Sequence, residues 1–378
     1  MDHAATTPVE AEVTKAMEIY FGEDYGNPSS VHRWGQRAEH AVASARQQIG
    51  DIVGCQSSEV VFTSGGSESD NLALRGAAMA ARSAGRGNHL VVTAIEHYAV
   101  LNTARQLREL YDFDLTVLPV DSFGLVSVDH VAAAIRPDTI LVSVMCANNE
   151  IGVLQPVAEI AQVVRPHGVL MHTDAVQAAS QMELNVDTLG VDMMSLGAHK
   201  FYGPKGVGVL YVRNGVSLEP VMTGGGQEQG LRSGTHNVAQ ITGMAVALKL
   251  TAERRERDNQ HYAGHRDQLI EGILQNIPDA RLTGHPEKRL HNNASFVFRG
   301  INGNELIMQL DLAGVAAGSG SACKTGSPAP SSVLLALGIE PEWALGSLRL
   351  TVGRGTTGDE VDLVQEIVPD VISRMRKA

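Results

Sequence analysis

Between residues 60 and 212, short apolar runs rich in β-branched residues recur at 60–63, 90–93, 115–118, 140–145, 169–173, 192–196 and 208–212, separated by stretches with helical periodicity. Seven such runs predict a layered α/β sheet. Most links between them are long enough for a helical crossover, which makes the flanking strands parallel. The link from 196 to 208 is rich in glycine and proline without a helical pattern, so the last strand is expected to be antiparallel. Upstream, 2–8 reads as an extended segment turning into a helix near Val9, and Tyr25-Gly26-Asn27-Pro28-Ser29-Ser30 as a turn before a helix over 32–53. Downstream, 238–277 is amphipathic and its charge run Glu253-Arg254-Arg255-Glu256-Arg257-Asp258 reads as a solvated face, so a long connecting helix is predicted. A smaller α+β unit should follow, with strands at 295–299, 314–317 and 347–352 and helices at 304–311, 331–337 and 357–376. The expected division is a large domain over 9–250 and a small one combining 1–8 with 251–378.

Composition narrows the class of function. The 378 residues carry 42 acidic against 30 basic side chains, a formal charge of -12, which argues against nucleic-acid binding and against anionic membranes. Apolar runs such as 140–147 are strand-length, far short of a membrane span, and Met1-Asp2-His3 lacks a signal-peptide pattern, so a cytoplasmic protein acting on small molecules is expected. Cys55, Cys146 and Cys323 have no paired spacing, and the 14 histidines form no HExxH-like cluster, so neither disulfides nor a metal site is expected.

The candidate chemistry lies at the ends of the predicted strands. After 60–63, Ser64-Gly65-Gly66-Ser67-Glu68-Ser69-Asp70 is a glycine turn entering a helix, where backbone amides and the helix dipole suit an anion such as phosphate. It is neither GxGxxG nor GxxxxGK[ST], so dinucleotide and nucleoside-triphosphate loops are excluded. The strand 90–93 leads to Glu96-His97, 140–145 to Asn148-Asn149-Glu150, 169–173 to Asp174-Ala175-Val176-Gln177, and 192–196 to Gly197-Ala198-His199-Lys200. Each alone is equally well a capped loop residue. Together a phosphate cup, an imidazole, an amide, a carboxylate able to hold a pyridinium proton and a lysine able to form a Schiff base match what pyridoxal 5'-phosphate requires.

These motifs, with Asp2-His3-Ala4-Ala5-Thr6-Thr7-Pro8, Asn27-Pro28-Ser29-Ser30, Arg232-Ser233-Gly234-Thr235 and Ser319-Gly320-Ser321-Ala322-Cys323, run in one order over nearly the whole chain. The chain resembles the cysteine desulfurases of the NifS/IscS type, in the class V aminotransferase branch of fold-type I pyridoxal-phosphate enzymes. The resemblance implies a fold-type I architecture, a seven-stranded mostly parallel sheet in a large domain plus a smaller α+β domain. It implies that Lys200 holds the cofactor covalently and moves protons, that His97 stacks on its ring and serves in acid-base steps, and that Asp174 pairs with the ring nitrogen. Asn149 and Gln177 orient ring and substrate; Gly66, Ser67 and His199 hold the phosphate, with Thr235 reaching over from a second subunit of a homodimer. Arg349 pairs with the substrate carboxylate. Cys323, in a glycine- and serine-rich stretch whose composition predicts a loop, takes the sulfur of L-cysteine as a persulfide and leaves L-alanine, for iron-sulfur clusters or thiolated tRNA through an acceptor or scaffold protein. Where such proteins often carry serine, this chain has Gly197, which keeps a backbone amide at the phosphate and loses a hydroxyl. A selenocysteine lyase, a class V aminotransferase or a non-enzymatic sulfur-relay partner are the rival readings; Cys323 tells against transamination and the intact Lys200, Asp174, His97 and Arg349 set against a silent protein.

Overall fold

The computed structural model describes residues 1–320 and 329–377. The main sheet comprises β1 (Val60–Thr63), β2 (His89–Thr93), β3 (Asp114–Leu118), β4 (Thr139–Ser143), β5 (Leu170–Asp174), β6 (Met193–Gly197) and β7 (Gly208–Val212), in spatial order β1-β7-β6-β5-β4-β2-β3. β7 is antiparallel to both β1 and β6, and the remaining pairings are parallel. The expected antiparallel last strand is thus present, because the 198–207 link turns back without a crossover. Side chains alternate between two cores: Val91, Val142, Met171 and Met194 face one, Leu90, Val92, Leu141 and Met193 the other. Burial on both faces explains why these strands read as continuous apolar runs.

The helix Val238–Asn276, about 58 Å long at 1.5 Å per residue, is shared by two cores. Its first part, with Ile241, Met244 and Leu248, packs on the main sheet; its last part, with Tyr262, Leu269 and Ile273, packs on a three-stranded antiparallel sheet. That sheet is β8 (Ala280–Leu282), β9 (Asn293–Phe298) and β10 (Ser347–Thr351), in order β10-β9-β8. The strand expected at 314–317 is not one. Gly314 turns the chain at φ 84°, and only an isolated bridge pairs Gly318 with Arg349. The third strand is β8, three partly exposed residues with no alternation to read. The helices Gly303–Leu312, Ser332–Ala336 and Gly358–Met375 lie where expected. Residues 1–4 extend the β10 edge, with Thr351 N donating to the Met1 carbonyl at 2.9 Å and Ala4 N to Thr351 Oγ1 at 2.9 Å. Among the described residues no helix is long and apolar enough to cross a membrane.

The chain leaves the parallel strands at a common carboxyl edge, and the order reverses between β2 and β4, where open α/β sheets bind ligands. The residues after β2, β4, β5 and β6 therefore converge.

Candidate active site

A cavity of about 700 Å³ opens at that edge, and it brings together Gly66, Ser67, His97, Asn149, Asp174, Gln177, His199, Lys200 and Arg349. Lys200 ends a single turn, Ala198–Lys200, directly after β6. Its Nζ donates to the carbonyls of Ala4 at 2.6 Å and Ala5 at 2.7 Å. Burial, then the nearby Arg349 charge, lowers its pKa to about 8, although Asp2 and Asp174 pull the other way. Beside it, His199 is pushed down to about 4 by burial and by Lys200 and Lys205, so it is neutral at pH 7, with Nδ1 at 3.2 Å from Thr6 Oγ1.

Asp174 closes β5 and accepts from Val176 N at 2.9 Å. Burial raises its pKa, while the Val176 amide, His97 and Lys200 oppose the rise. Two further acids were not assigned from the sequence. Asp70, 1% exposed, lines the cavity with Oδ1 3.7 Å from His172 Nε2 and without a hydrogen bond, and burial and Asp174 raise its pKa well above the ordinary range. Glu96 accepts from Thr93 Oγ1 at 2.7 Å and Met145 N at 2.9 Å, and burial pushes it to about 8. Beneath them His172 bridges Ser143 and Ser195 at 2.8 and 3.0 Å, and burial drives it to about 3, a neutral strut. The signal for Asp70 was its place one turn into the helix after the glycine turn, where it reads equally as a cap.

The candidate anion site is the N-terminus of the helix Gly66–Ser83. Gly65 precedes it at φ 153°, ψ 177°, a conformation essentially restricted to glycine, and no side-chain cap closes this end. A Cβ at Gly66 would meet Val176 Cγ2 at 2.6 Å, so only glycine lets the β5 loop close over the amides. Gly197 is extended, and a Cβ there would sit 3.4 Å from Gly66 N. His97 caps the helix Tyr98–Tyr111, accepting from Ala99 N at Nδ1, which leaves Nε2 for the cavity. Arg349 Nη1 donates to the Asn149 carbonyl at 2.7 Å and Nη2 pairs with Asp2 at 2.8 Å. Gln177 Nε2 donates to the Ala4 carbonyl at 3.0 Å.

Two predicted site residues among those described, Gly197 and Thr235, do not line this cavity. Thr235 is exposed and lines a neighbouring cavity of about 220 Å³ that shares Gly206 and Val207 with the first. Its loop, 223–235, is rich in glycine and poor in apolar residues. It is tied down by charge instead: Glu228 takes the Arg46 fork at 2.6 and 2.7 Å, His236 at 2.5 Å and Phe62 N at 2.8 Å. Burial opposes ionisation there, but Arg46 and His236 prevail and hold Glu228 at about 2. Cys323 lies outside the described residues. Of the two described cysteines, Cys146 is buried and Cys55 half-buried, and burial pushes both to about 12. Asp70, His97 and Asp174 have ligand-type atoms within 4.8 Å of one another.

The aminotransferase class-V family model matches residues 1–364. A curated relative, the cysteine desulfurase IscS of Methanosarcina thermophila, is 46% identical over 376 residues, covering 100% of this chain and 92% of that protein. The solved structure of a NifS-like protein superposes with a TM-score of 0.92 at 35% identity, covering 99% of this chain and 98% of that one. Another, described as SspA in complex with cysteine, gives 0.83 at 35% identity over 94% of this chain and 99% of that one.

Proposed function

The chain belongs to the aminotransferase class-V family, and from that premise we propose that it is a pyridoxal-phosphate cysteine desulfurase. L-Cysteine becomes L-alanine and its sulfur passes to Cys323, so that a thiol becomes a persulfide without any added oxidant. The cavity's donor set fits pyridoxal 5'-phosphate. An uncapped helix N-terminus at Gly66 and Ser67, beside neutral His199, suits the phosphate; Asp174 suits the ring nitrogen; Lys200 supplies the amine. When bound, the cofactor supplies an electron sink that makes cleavage of the carbon-sulfur bond accessible.

The chain's own residues do the rest. Lys200, poised near 8, gives and takes the proton at the substrate α-carbon. His97 offers Nε2 alone, because the Ala99 amide fixes its ring. Arg349 takes the substrate carboxylate with a fork that lysine could not provide, and Asn149 and Gln177 orient the bound molecules. The chain enters and leaves the stretch holding Cys323 beside the site: Gly318 exchanges two backbone bonds with Arg349 at 3.0 and 2.7 Å, and Ser331 Oγ donates to Glu150 at 2.5 Å. Cys55 and Cys146, held as thiols, are poor alternatives as nucleophiles. The working unit is a homodimer in the reducing cytoplasm, passing sulfur to an acceptor or scaffold protein for iron-sulfur clusters or thiolated tRNA.

The observation that carries this reading is Lys200, a desolvated amine in one cavity with Asp174, Arg349 and an open helix end. The test is the absorption spectrum of the loaded protein with and without L-cysteine, together with assays of alanine and of sulfide in the presence of dithiothreitol, which reduces the persulfide to thiol and sulfide. Equal amounts of both products support it; pyruvate, or a keto acid and no sulfide, refutes it.

A further inference from the structure

Of the three guanidinium nitrogens of Arg349, which carry five N–H donors, two already have a partner. Nη1 meets the Asn149 carbonyl at 2.7 Å and Nη2 meets Asp2 Oδ1 at 2.8 Å, while Nε is buried without a partner. Nε and Nη2 form one edge of the guanidinium, the edge a carboxylate grips with both oxygens. Asp2 Oδ1 already draws on Nη2, so a substrate carboxylate gripping that edge meets a carboxylate in place and must displace it or share Nη2 with it. We propose that Asp2 is a specificity-determining residue, an internal carboxylate that occupies the substrate's place on Arg349 and yields it to the incoming amino acid. The proposal rests on the reading of Arg349 as the substrate's anchor.

The local structure makes the exchange feasible. The Asp2 side chain is 30% exposed against 11% for Arg349, so the aspartate can turn to water while the arginine stays. Its backbone is held separately, by Thr351 N on the Met1 carbonyl and Ala4 N on Thr351 Oγ1, so rotation of the side chain need not detach the segment. Gly318 lies against this same edge and leaves no room for a side chain: a Cβ there would lie 2.7 Å from Nη2, 3.0 Å from Asp2 Oδ1 and 3.1 Å from Nε. The same short segment puts the Ala4 and Ala5 carbonyls on Lys200 Nζ. Residues 2–5 thus cover two cations of the site, with a carboxylate on Arg349 and carbonyls on the Lys200 amine. Engagement of a substrate carboxylate removes the first of these contacts and competes only with a partly exposed ion pair, so Asp2 weakens binding modestly and sets the KM.

The test compares wild type, Asp2→Asn and Asp2→Glu, each loaded with pyridoxal 5'-phosphate. Propionate, a carboxylate with neither amine nor sulfur, is titrated calorimetrically, and KM for L-cysteine is measured alongside. Removing the charge should tighten propionate binding about three- to ten-fold and lower KM by a similar factor, the scale of one partly exposed ion pair. Asp2→Glu should stay near the wild-type values. Unchanged or weaker propionate binding in Asp2→Asn overturns the proposal, because Asp2 would then be holding Arg349 in place rather than competing for it. Loss of propionate binding in Arg349→Ala places the probe at this arginine; its persistence there overturns the proposal as well. Failure of the wild type to release sulfide from cysteine refutes the assigned reaction and leaves the propionate result standing on its own.

Discussion

At the scale of single residues, the site depends on what burial does to Lys200. An ammonium near pH 10.5 in water is brought to about 8 because its cavity withdraws water and sets Arg349 nearby. In the cofactor-free protein, acylation of Lys200 should therefore rise with a midpoint near pH 8, well before the exposed lysines react. Peptide mass mapping after brief labelling across pH 6–11 reads this directly, and a midpoint at 10 or above would contradict it. Gly197 gives a second residue-scale expectation. Its backbone is extended, at φ -136° and ψ 118°, and a Cβ finds only ordinary contacts with Gly66 N and Val176. Gly197→Ser should therefore fit, and its hydroxyl would stand at the open helix end. One added hydrogen bond to a charged phosphate, roughly 1.5 kcal/mol or more, should tighten cofactor binding about ten-fold. Equilibrium dialysis of pyridoxal phosphate checks it, and equal or weaker binding would refute it.

At the scale of elements, the loop of residues 223–235 shows how charge can replace apolar burial. Glu228 sits in the left-handed region at φ 48°, an unfavourable choice for a non-glycine residue, and its carboxylate is buried against Arg46, His236 and the β1 backbone. Glu228→Gln leaves a largely buried guanidinium short of its partner and should cost about 3 kcal/mol in urea unfolding at pH 7. The native carboxyl is held at about 2, below its unfolded value. Its contribution is thus complete above about pH 5 and is lost as pH falls toward 2. The gap between wild type and variant should therefore narrow from pH 5 to pH 3; a constant gap would mean that packing, not charge, anchors the loop. Local pattern could not disclose this anchor, because Arg46 and Glu228 are 182 residues apart. The strands were legible for the opposite reason. Burial on both faces writes each as an unbroken apolar run, and the chemistry follows at its end, as in Asp174 and Lys200. The strand β8 had no such run, and 314–317 had one without a partner to pair with. Asp2 on Arg349 and Arg354 N on the Tyr202 hydroxyl join positions 347 and 152 residues apart, the first made where the N-terminal segment runs along β10 and the second where the chain after β10 meets the turn after β6.

At the scale of the whole molecule, Thr235 poses the remaining question. Its own chain presents it, exposed, beside a neighbouring cavity, while the proposed phosphate site of that chain lies at Gly66, Ser67 and His199 in the main cavity. The loop is anchored at Glu228, so Thr235 is carried on a fixed base rather than a free tail. A two-fold dimer makes any exchange of such loops reciprocal. If each Thr235 hydroxyl completes the partner's phosphate site, Thr235→Ala should weaken cofactor binding about ten- to hundred-fold, the range of one hydrogen bond to a charged group, without lowering the unfolding midpoint. Mixing chains separates the alternatives. Lys200→Ala with Thr235→Ala heterodimers would contain one site with both lesions and one with neither, so activity should return in the mixture at subsaturating cofactor. Were Thr235 to act within its own chain, every site in the mixture would carry a lesion and no such recovery would occur. The intact site arises only from a shared one, so recovery to about half of the heterodimer's sites is the result that assigns Thr235 to its partner.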